Sequence, residues 1–127
     1  LFDLFNRKQQ LDFSTVADIL AAPFWRQIEH MTSDKQEYYT KLRAIYASAL
    51  LTGPFGICVG FTGGMLGLND RTKLRPLVAA RSEQRLYLSS EESAIHETNH
   101  FKPLKKIWAP KGGELVIGKV KNMEAVK

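Results

Sequence analysis

An α+β fold, with helices first and antiparallel strands after them, is what this sequence predicts, in one domain spanning residues 1–127. Apolar residues recur at helical spacing as far as Gly53-Pro54, and from Phe55 onward they alternate with small residues at the period of a strand. No internal repeat and no linker-like stretch interrupts that order. A chain of 127 residues, 44% of them hydrophobic, is the size of one small domain and can bury a core of its own.

The helical half reads in three steps. Leu1, Leu4 and Phe5 share one helical face, and the polar run from Asn6 to Gln10 closes that segment. A second helix starts near Asp12 or Ser14, either of which can cap exposed amides, and carries Val16, Ile19 and Leu20 inward until Pro23 breaks it. Phe24, Trp25, Ile28 and Met31 continue the spacing. Ser33 followed by Gln36 makes a capping box for the longest helix, whose inward stripe is Tyr38, Leu42, Ile45 and Ala49, flanked by Tyr39, Tyr46 and Leu50. Gly53-Pro54 ends it.

The strands follow. Phe55, Ile57, Val59 and Phe61 point one way; Gly56, Cys58 and Gly60 point the other, where small residues allow another layer to come close. Thr62-Gly63-Gly64 is a turn, with Met65 to Leu68 as the return strand. Leu77 to Ala80 and Arg85 to Leu88 form a second hairpin around Ser82-Glu83-Gln84. Glu91 to His96 adds a helical turn, and Lys105 to Trp108 with Glu114 to Val120 are late strands around the Pro110/Gly112/Gly113 turn.

Composition narrows the function classes. The formal net charge is +5, but the cations are scattered, the densest groups being Arg71/Lys73/Arg75 and Lys102/Lys105/Lys106, so they read as solvated surface and not as a nucleic-acid footprint. One cysteine excludes an internal disulfide framework and fits a reducing cytoplasm. The apolar runs are far short of a membrane span and no secretory leader opens the chain, which predicts a cytoplasmic protein without a membrane partner. A first residue of Leu1 in place of Met suggests trimming, processing or a truncated boundary.

Five ordered blocks carry a resemblance. They are Ala22-Pro23-Phe24-Trp25, the run from Ala47 to Phe55, the run Asn69-Asp70-Arg71-Thr72-Lys73-Leu74-Arg75-Pro76-Leu77, the run from Ser89 to Ile95, and Trp108 to Glu114. The third resembles the D-R-N-G-L-R-P-L signature late in the glutaminase domain of class II, N-terminal-nucleophile glutamine amidotransferases. The whole match, from about Leu1 to Val120, is similar to glutamate synthase large-subunit and domain-1-like proteins. Lys73 stands where the common signature has glycine, which either changes the turn or asks a lysine to hold a conformation usually left to glycine.

The resemblance implies the C-terminal half of a four-layer αββα sandwich. It implies a glutaminase that releases ammonia from glutamine for a synthase partner, in nitrogen metabolism and glutamate biosynthesis. In that family an N-terminal cysteine attacks the side-chain amide, an Asn-Gly pair forms the oxyanion hole, and an arginine and an aspartate hold the substrate zwitterion. All of those positions lie upstream of the matched region. No catalytic, cofactor-binding or metal-binding residue is therefore carried onto this chain, which is expected to be inactive alone. Its expected partners are the upstream half of the amidotransferase domain and a synthase domain or subunit, with self-association possible.

Ser33-Asp34 reads as a helix cap and not as the family's substrate-binding aspartate, and Cys58, mid-strand between glycines, as a buried structural thiol. His96-Glu97-Thr98-Asn99-His100 matches the H-E-x-x-H zinc-hydrolase pattern, but Phe101 and Pro103 follow at once and no third ligand is evident; a chance match in an exposed connection is the reading taken. Arg71 and Arg75 are read as loop braces, Glu91 as a structural acceptor of hydrogen bonds, and Trp25 and Trp108 as core contacts. A non-catalytic structural or regulatory module with the same fold is the alternative to the amidotransferase reading.

Overall fold

A computed structural model of the chain describes residues 1–121. Helices occupy the first part and antiparallel strands the second, as expected for α+β. Leu4–Lys8 forms a short π-helical segment that buries Phe5. Helix α1 (Phe13–Leu20) begins at Asp12, whose Oδ1 accepts from the Thr15 N–H at 2.9 Å and whose Oδ2 accepts from the Thr15 hydroxyl at 2.8 Å. That satisfies one of the amides that a helix start leaves without a partner. Val16, Ile19 and Leu20 are buried as expected, each contributing up to about 1.5–3 kcal/mol.

Pro23 separates α1 from the single turn α2 (Trp25–Ile28), where Gln27 Oε1 accepts from the Phe24 N–H at 2.9 Å. Helix α3 (Ser33–Tyr46) departs from the expectation at both its cap and its stripe. Its N-cap is Thr32, and Gln36 donates instead to the carbonyls of Glu29 and Met31, both at 3.0 Å, tying α2 to α3. Leu42 is buried with Tyr39 and Tyr46 packed around it, whereas Ile45 is 72% exposed. The contact with α1 sets this roll: Asp18 on α1 accepts from the Tyr38 and Tyr39 hydroxyls at 3.0 and 3.2 Å. A 3-10 turn, Ala47–Ala49, then ends the helical run before Gly53-Pro54.

The strands are β1 (Gly56–Phe61), β2 (Gly64–Asn69), β3 (Val78–Arg81), β4 (Leu86–Ser89), β5 (Lys106–Trp108) and β6 (Val116–Lys119), with helix α4 (Glu92–Thr98) between β4 and β5. The described residues form two antiparallel sheets, ordered β1-β2-β6 and β4-β3-β5. The first hairpin turns through Thr62-Gly63, with Gly63 at φ +85° and Phe61 opposite Gly64. The two late strands do not pair with each other: β5 adds to β3 and β6 to β2. Turn residues between them mark a crossing from one sheet to the other, with Pro110 fully buried on the way.

Register decides which side each sheet residue takes. Ile57 and Val59 lie opposite Leu68 and Leu66 on the side of α1, and Phe61, two residues on, lies 4.5 Å between ring centroids from Phe13. Leu68 joins Val16, Ile19 and Leu20 in one core. On the other face, a Cβ on Gly67 would come 2.9 Å from Leu88 Cδ1, and one on Gly118 2.7 Å from Leu86 Cδ2, so β4 lies against β2 and β6. Tyr87 points away from that contact and donates to Asn99 Oδ1 at 2.8 Å, beside α4 and its buried Ile95. The layers therefore run helix, sheet, sheet, helix, and this one chain supplies both sheets.

The close approach between sheets falls on Gly67 and Gly118, not on Gly56, Cys58 and Gly60. Nothing lies within 4 Å of a Cβ built on Gly60, and Cys58 is exposed. The expectation of a buried thiol fails because β4 covers the β2 and β6 side of the sheet and leaves β1 bare.

Candidate functional site

Asn69 and Asp70 close β2 and are 0% and 1% exposed. The Asp70 carboxylate organises the loop that follows. Its Oδ1 accepts from the Thr72 hydroxyl at 2.6 Å and the Leu74 N–H at 2.9 Å; its Oδ2 accepts from the Arg75 N–H at 3.0 Å and the Phe55 N–H at 3.3 Å. Burial pushes this carboxyl up, but the bonds from Thr72, Arg75, Leu74 and Phe55 outweigh it and hold it well below the usual carboxylate range. Lys73 sits at φ +56° with its N–H on the Asp70 carbonyl at 2.9 Å. The lysine thus takes the left-handed conformation that the glycine of the signature would take, at a strain of roughly 1–2 kcal/mol.

Two other blocks close on this loop. Gly112 lies against the Arg71 and Asp70 carbonyls, and the Gly113 N–H donates to the Asn69 carbonyl at 3.2 Å. Gly113 has φ +73°, and a Cβ there would lie 2.9 Å from the Ala21 carbonyl oxygen. Both glycines are required by close backbone approach. Glu114 Oε2 accepts from the Lys111 N–H at 2.7 Å and completes the turn. From the loop, Arg71 donates to the Ala22 carbonyl at 3.3 Å and stacks over Phe24 at 4.0 Å. The blocks Ala22–Trp25, Asn69–Leu77 and Trp108–Glu114, far apart in sequence, therefore meet around Asp70. Asn69 Oδ1 is buried there without a hydrogen-bond partner, while its Nδ2 lies 3.5 Å from the Arg75 carbonyl.

The geometry is that of a brace. Asp70 has its oxygens occupied by four donors, so it is not available as a general base. Partial burial pushes the Cys58 thiol up, which disfavours the thiolate a nucleophile needs. The H-E-x-x-H segment is split by the end of α4: His96 and Glu97 are helical, Asn99 is the C-cap, and His100 and Phe101 follow at φ +52° and +53°. His96 lies 3.3 Å from Glu92 and stacks on Phe101, away from the arrangement in which both histidines share a helical face. Among the described residues, no group of three His, Cys, Asp or Glu could hold a metal ion.

Arg71 braces a loop as expected, whereas Arg75 contributes its backbone N–H and keeps an exposed side chain. The Glu91 side chain makes no cap bond; its N–H donates to Ser89 Oγ at 3.1 Å. Asp34 lies in the first turn of α3, where a negative charge complements the helix dipole. Trp25 is 48% exposed, not core, and the Arg43 guanidinium lies over its ring at 4.0 Å. Trp108 is half-buried with Lys106 Nζ 4.7 Å from its ring centre. The hub role of Asp70 was not singled out from the sequence. Its signal was an aspartate at the end of a strand with Thr72 two residues on, the composition of an Asx turn.

The chain is 41% identical over 122 residues to an uncharacterized protein of Archaeoglobus fulgidus, an alignment that takes in 96% of this chain and 32% of that protein. The chain thus spans about a third of the length of the curated relative it matches. No protein-family model and no solved structure matches it. No helix of the described residues is long and apolar enough to cross a membrane.

Proposed function

We propose that this chain is the C-terminal part of a class II glutamine amidotransferase domain related to glutamate synthase, and that it supplies scaffold to a glutaminase centre carried by the upstream half. The observation that carries this reading is the helix, sheet, sheet, helix layering, with the Asp70 loop at its centre joining three of the blocks on which the resemblance rests. β1 pairs with β2 on one side, and on its other side the described residues give it no neighbour. That free edge, with the bare Cys58/Gly60 face beside it, is the surface on which strands from the upstream half add, because an open edge favours further pairing and an uncovered sheet face favours a covering layer.

In the complete protein, glutamine is hydrolysed upstream and the released ammonia passes to a synthase partner. Within the described residues, Cys58, His96 and Asp70 lack the surroundings of a nucleophile or base. The test compares the 127-residue chain with the full-length protein that contains it, following glutamate and ammonia release from glutamine. The full-length protein is expected to turn glutamine over and to keep doing so after Cys58→Ala. An inactive full-length protein would favour the non-catalytic module, and activity lost with Cys58 would refute the scaffold role.

A further inference from the structure

Arg43 on α3 and Arg71 on the Asp70 loop meet at the Ala22-Pro23 backbone, and among the described residues neither forms an ion pair with an acidic side chain. Arg43 on α3 donates to the Pro23 carbonyl at 3.1 Å and lies 4.0 Å over Trp25; Arg71 donates to the adjacent Ala22 carbonyl at 3.3 Å and lies 4.0 Å over Phe24. Both are half-buried. They are close enough to feel each other: burial, and then the positive charge of Arg71, push Arg43 below the usual guanidinium value. A guanidinium presents five N–H donors, and a carbonyl and a ring face leave most of them unused. Two half-buried like charges near each other favour an anion beside them.

Beside Arg43 is a cavity of about 220 Å³, walled by Ile19, Leu42, Tyr46, Ala47 and Leu50 and edged by Trp25. Arg43 is the charged residue in its lining. A phosphate placed there would leave most of its oxygens facing hydrocarbon, and a cation would meet the like charge of Arg43. The volume is below the roughly 300–1,000 Å³ of pockets for drug-sized ligands, so the occupant is small. We propose that this cavity binds a monocarboxylate with a compact apolar body, its carboxylate on Arg43 and its body against Tyr46, Ala47 and Leu50, over a floor of buried Ile19 and Leu42. Arg71 strengthens the local positive potential, and the Trp25 ring, already stacked on Arg43, forms one wall.

The probe is phenylacetate, titrated into the isotopically labelled 127-residue chain and followed in its amide and indole NMR spectrum, which reports folding at the same time. Saturable shifts are expected at the Trp25 indole N–H and the Arg43 Nε–H. Phenylacetamide, which lacks the charge, and sulfate, which lacks the body, should each give no saturable shift at those sites. Arg43→Met keeps the apolar stem and should weaken binding about tenfold or more, the equivalent of one lost charge-assisted hydrogen bond. Ala47→Phe fills the cavity while keeping Arg43, and should abolish the shifts in a spectrum that is otherwise unchanged. A folded chain showing no saturable shift, equal binding of the amide, or unaltered affinity in either folded variant would overturn the site.

Discussion

Gly112 lies directly against the Arg71 carbonyl, so that a Cβ on Gly112 would come within 2.7 Å of the Arg71 carbonyl carbon and 3.0 Å of the Asp70 carbonyl oxygen. The obstacle is backbone, which cannot swing aside as a side-chain tip can. Gly112→Ala is expected to destabilise the chain by about 2–3 kcal/mol in denaturant unfolding. Gly60→Ala, where a Cβ meets nothing within 4 Å, is expected to be neutral or stabilising by up to about 1 kcal/mol. Equal effects of the two substitutions would mean that the turn after Pro110 does not seat on the Asp70 loop.

Asp70 makes the acid limb of stability. Its folded value lies below its ordinary 3.8, so its contribution is fully present above the unfolded value and is lost as pH falls through the folded one. Asp18 works the other way: burial raises it despite two tyrosine hydroxyls, so ionising it opposes folding as pH rises above 3.8. Asp70→Asn replaces an acceptor by an amide whose N–H₂ confronts backbone N–H groups, and should lose at least about 2 kcal/mol at neutral pH. The variant should also show a shallower loss of stability below pH 3.8. Unfolding curves across acid pH that superimpose for the two proteins would contradict the hub.

Tyr39 makes the alkaline limb. Burial, followed by the charge of Asp18 and the hydrogen bond to it, pushes its phenol up to about 12 from 10.0. A group raised in the folded state contributes fully below its unfolded value, and that contribution disappears as pH climbs from 10.0 toward about 12. Burial and the Asp18 charge push Tyr38 up as well, so tyrosinate absorbance of the native chain should show a late-titrating component whose latest phenol is lost in Tyr39→Phe. Early, uniform titration of all tyrosines in the folded chain would show that α1 and α3 are not joined through Asp18.

Cys58 reports on the bare face of the first sheet. In the isolated chain a thiol reagent should modify it without denaturant, faster as pH rises because the thiolate is the nucleophile, with the rise displaced to higher pH than for a free thiol because partial burial pushes the thiol up. In the full-length protein the same residue should be protected, because the proposed upstream strands cover that face. Equal labelling of both proteins would argue that nothing docks on β1. The isolated chain should also self-associate in light scattering at concentrations where the full-length protein does not, since its edge strand is open.

Local sequence revealed the change from helix to strand near Phe55, a cap at Asp12 or Ser14, of which the fold uses Asp12, the burial of Val16, Ile19 and Leu20, and the two hairpins. These depend on neighbours within a few residues, which is all that spacing records. The same reading put Tyr38, Leu42, Ile45 and Ala49 inward on α3; Leu42 and Ala49 are buried, but Ile45 is 72% exposed and the flanking Tyr39 and Tyr46 pack on the core, because the roll of the helix is fixed by its contact with α1 and spacing does not record it. It placed the late strands around one turn without their partners, because strand propensity does not say which sheet edge is vacant.

By itself, then, the sequence determined the element types, their order and most of their inward positions on α1 and the first hairpin, because those follow from chain-local geometry. Tertiary structure alone decided the pairing of β5 and β6 with separate sheets, the exposure of Cys58, the departure of His100 from α4, and the closure of three distant blocks on Asp70. Each of these is a contact between segments tens of residues apart. Such contacts are selected by shape and by the satisfaction of buried polar groups, conditions that exist only once the layers have come together.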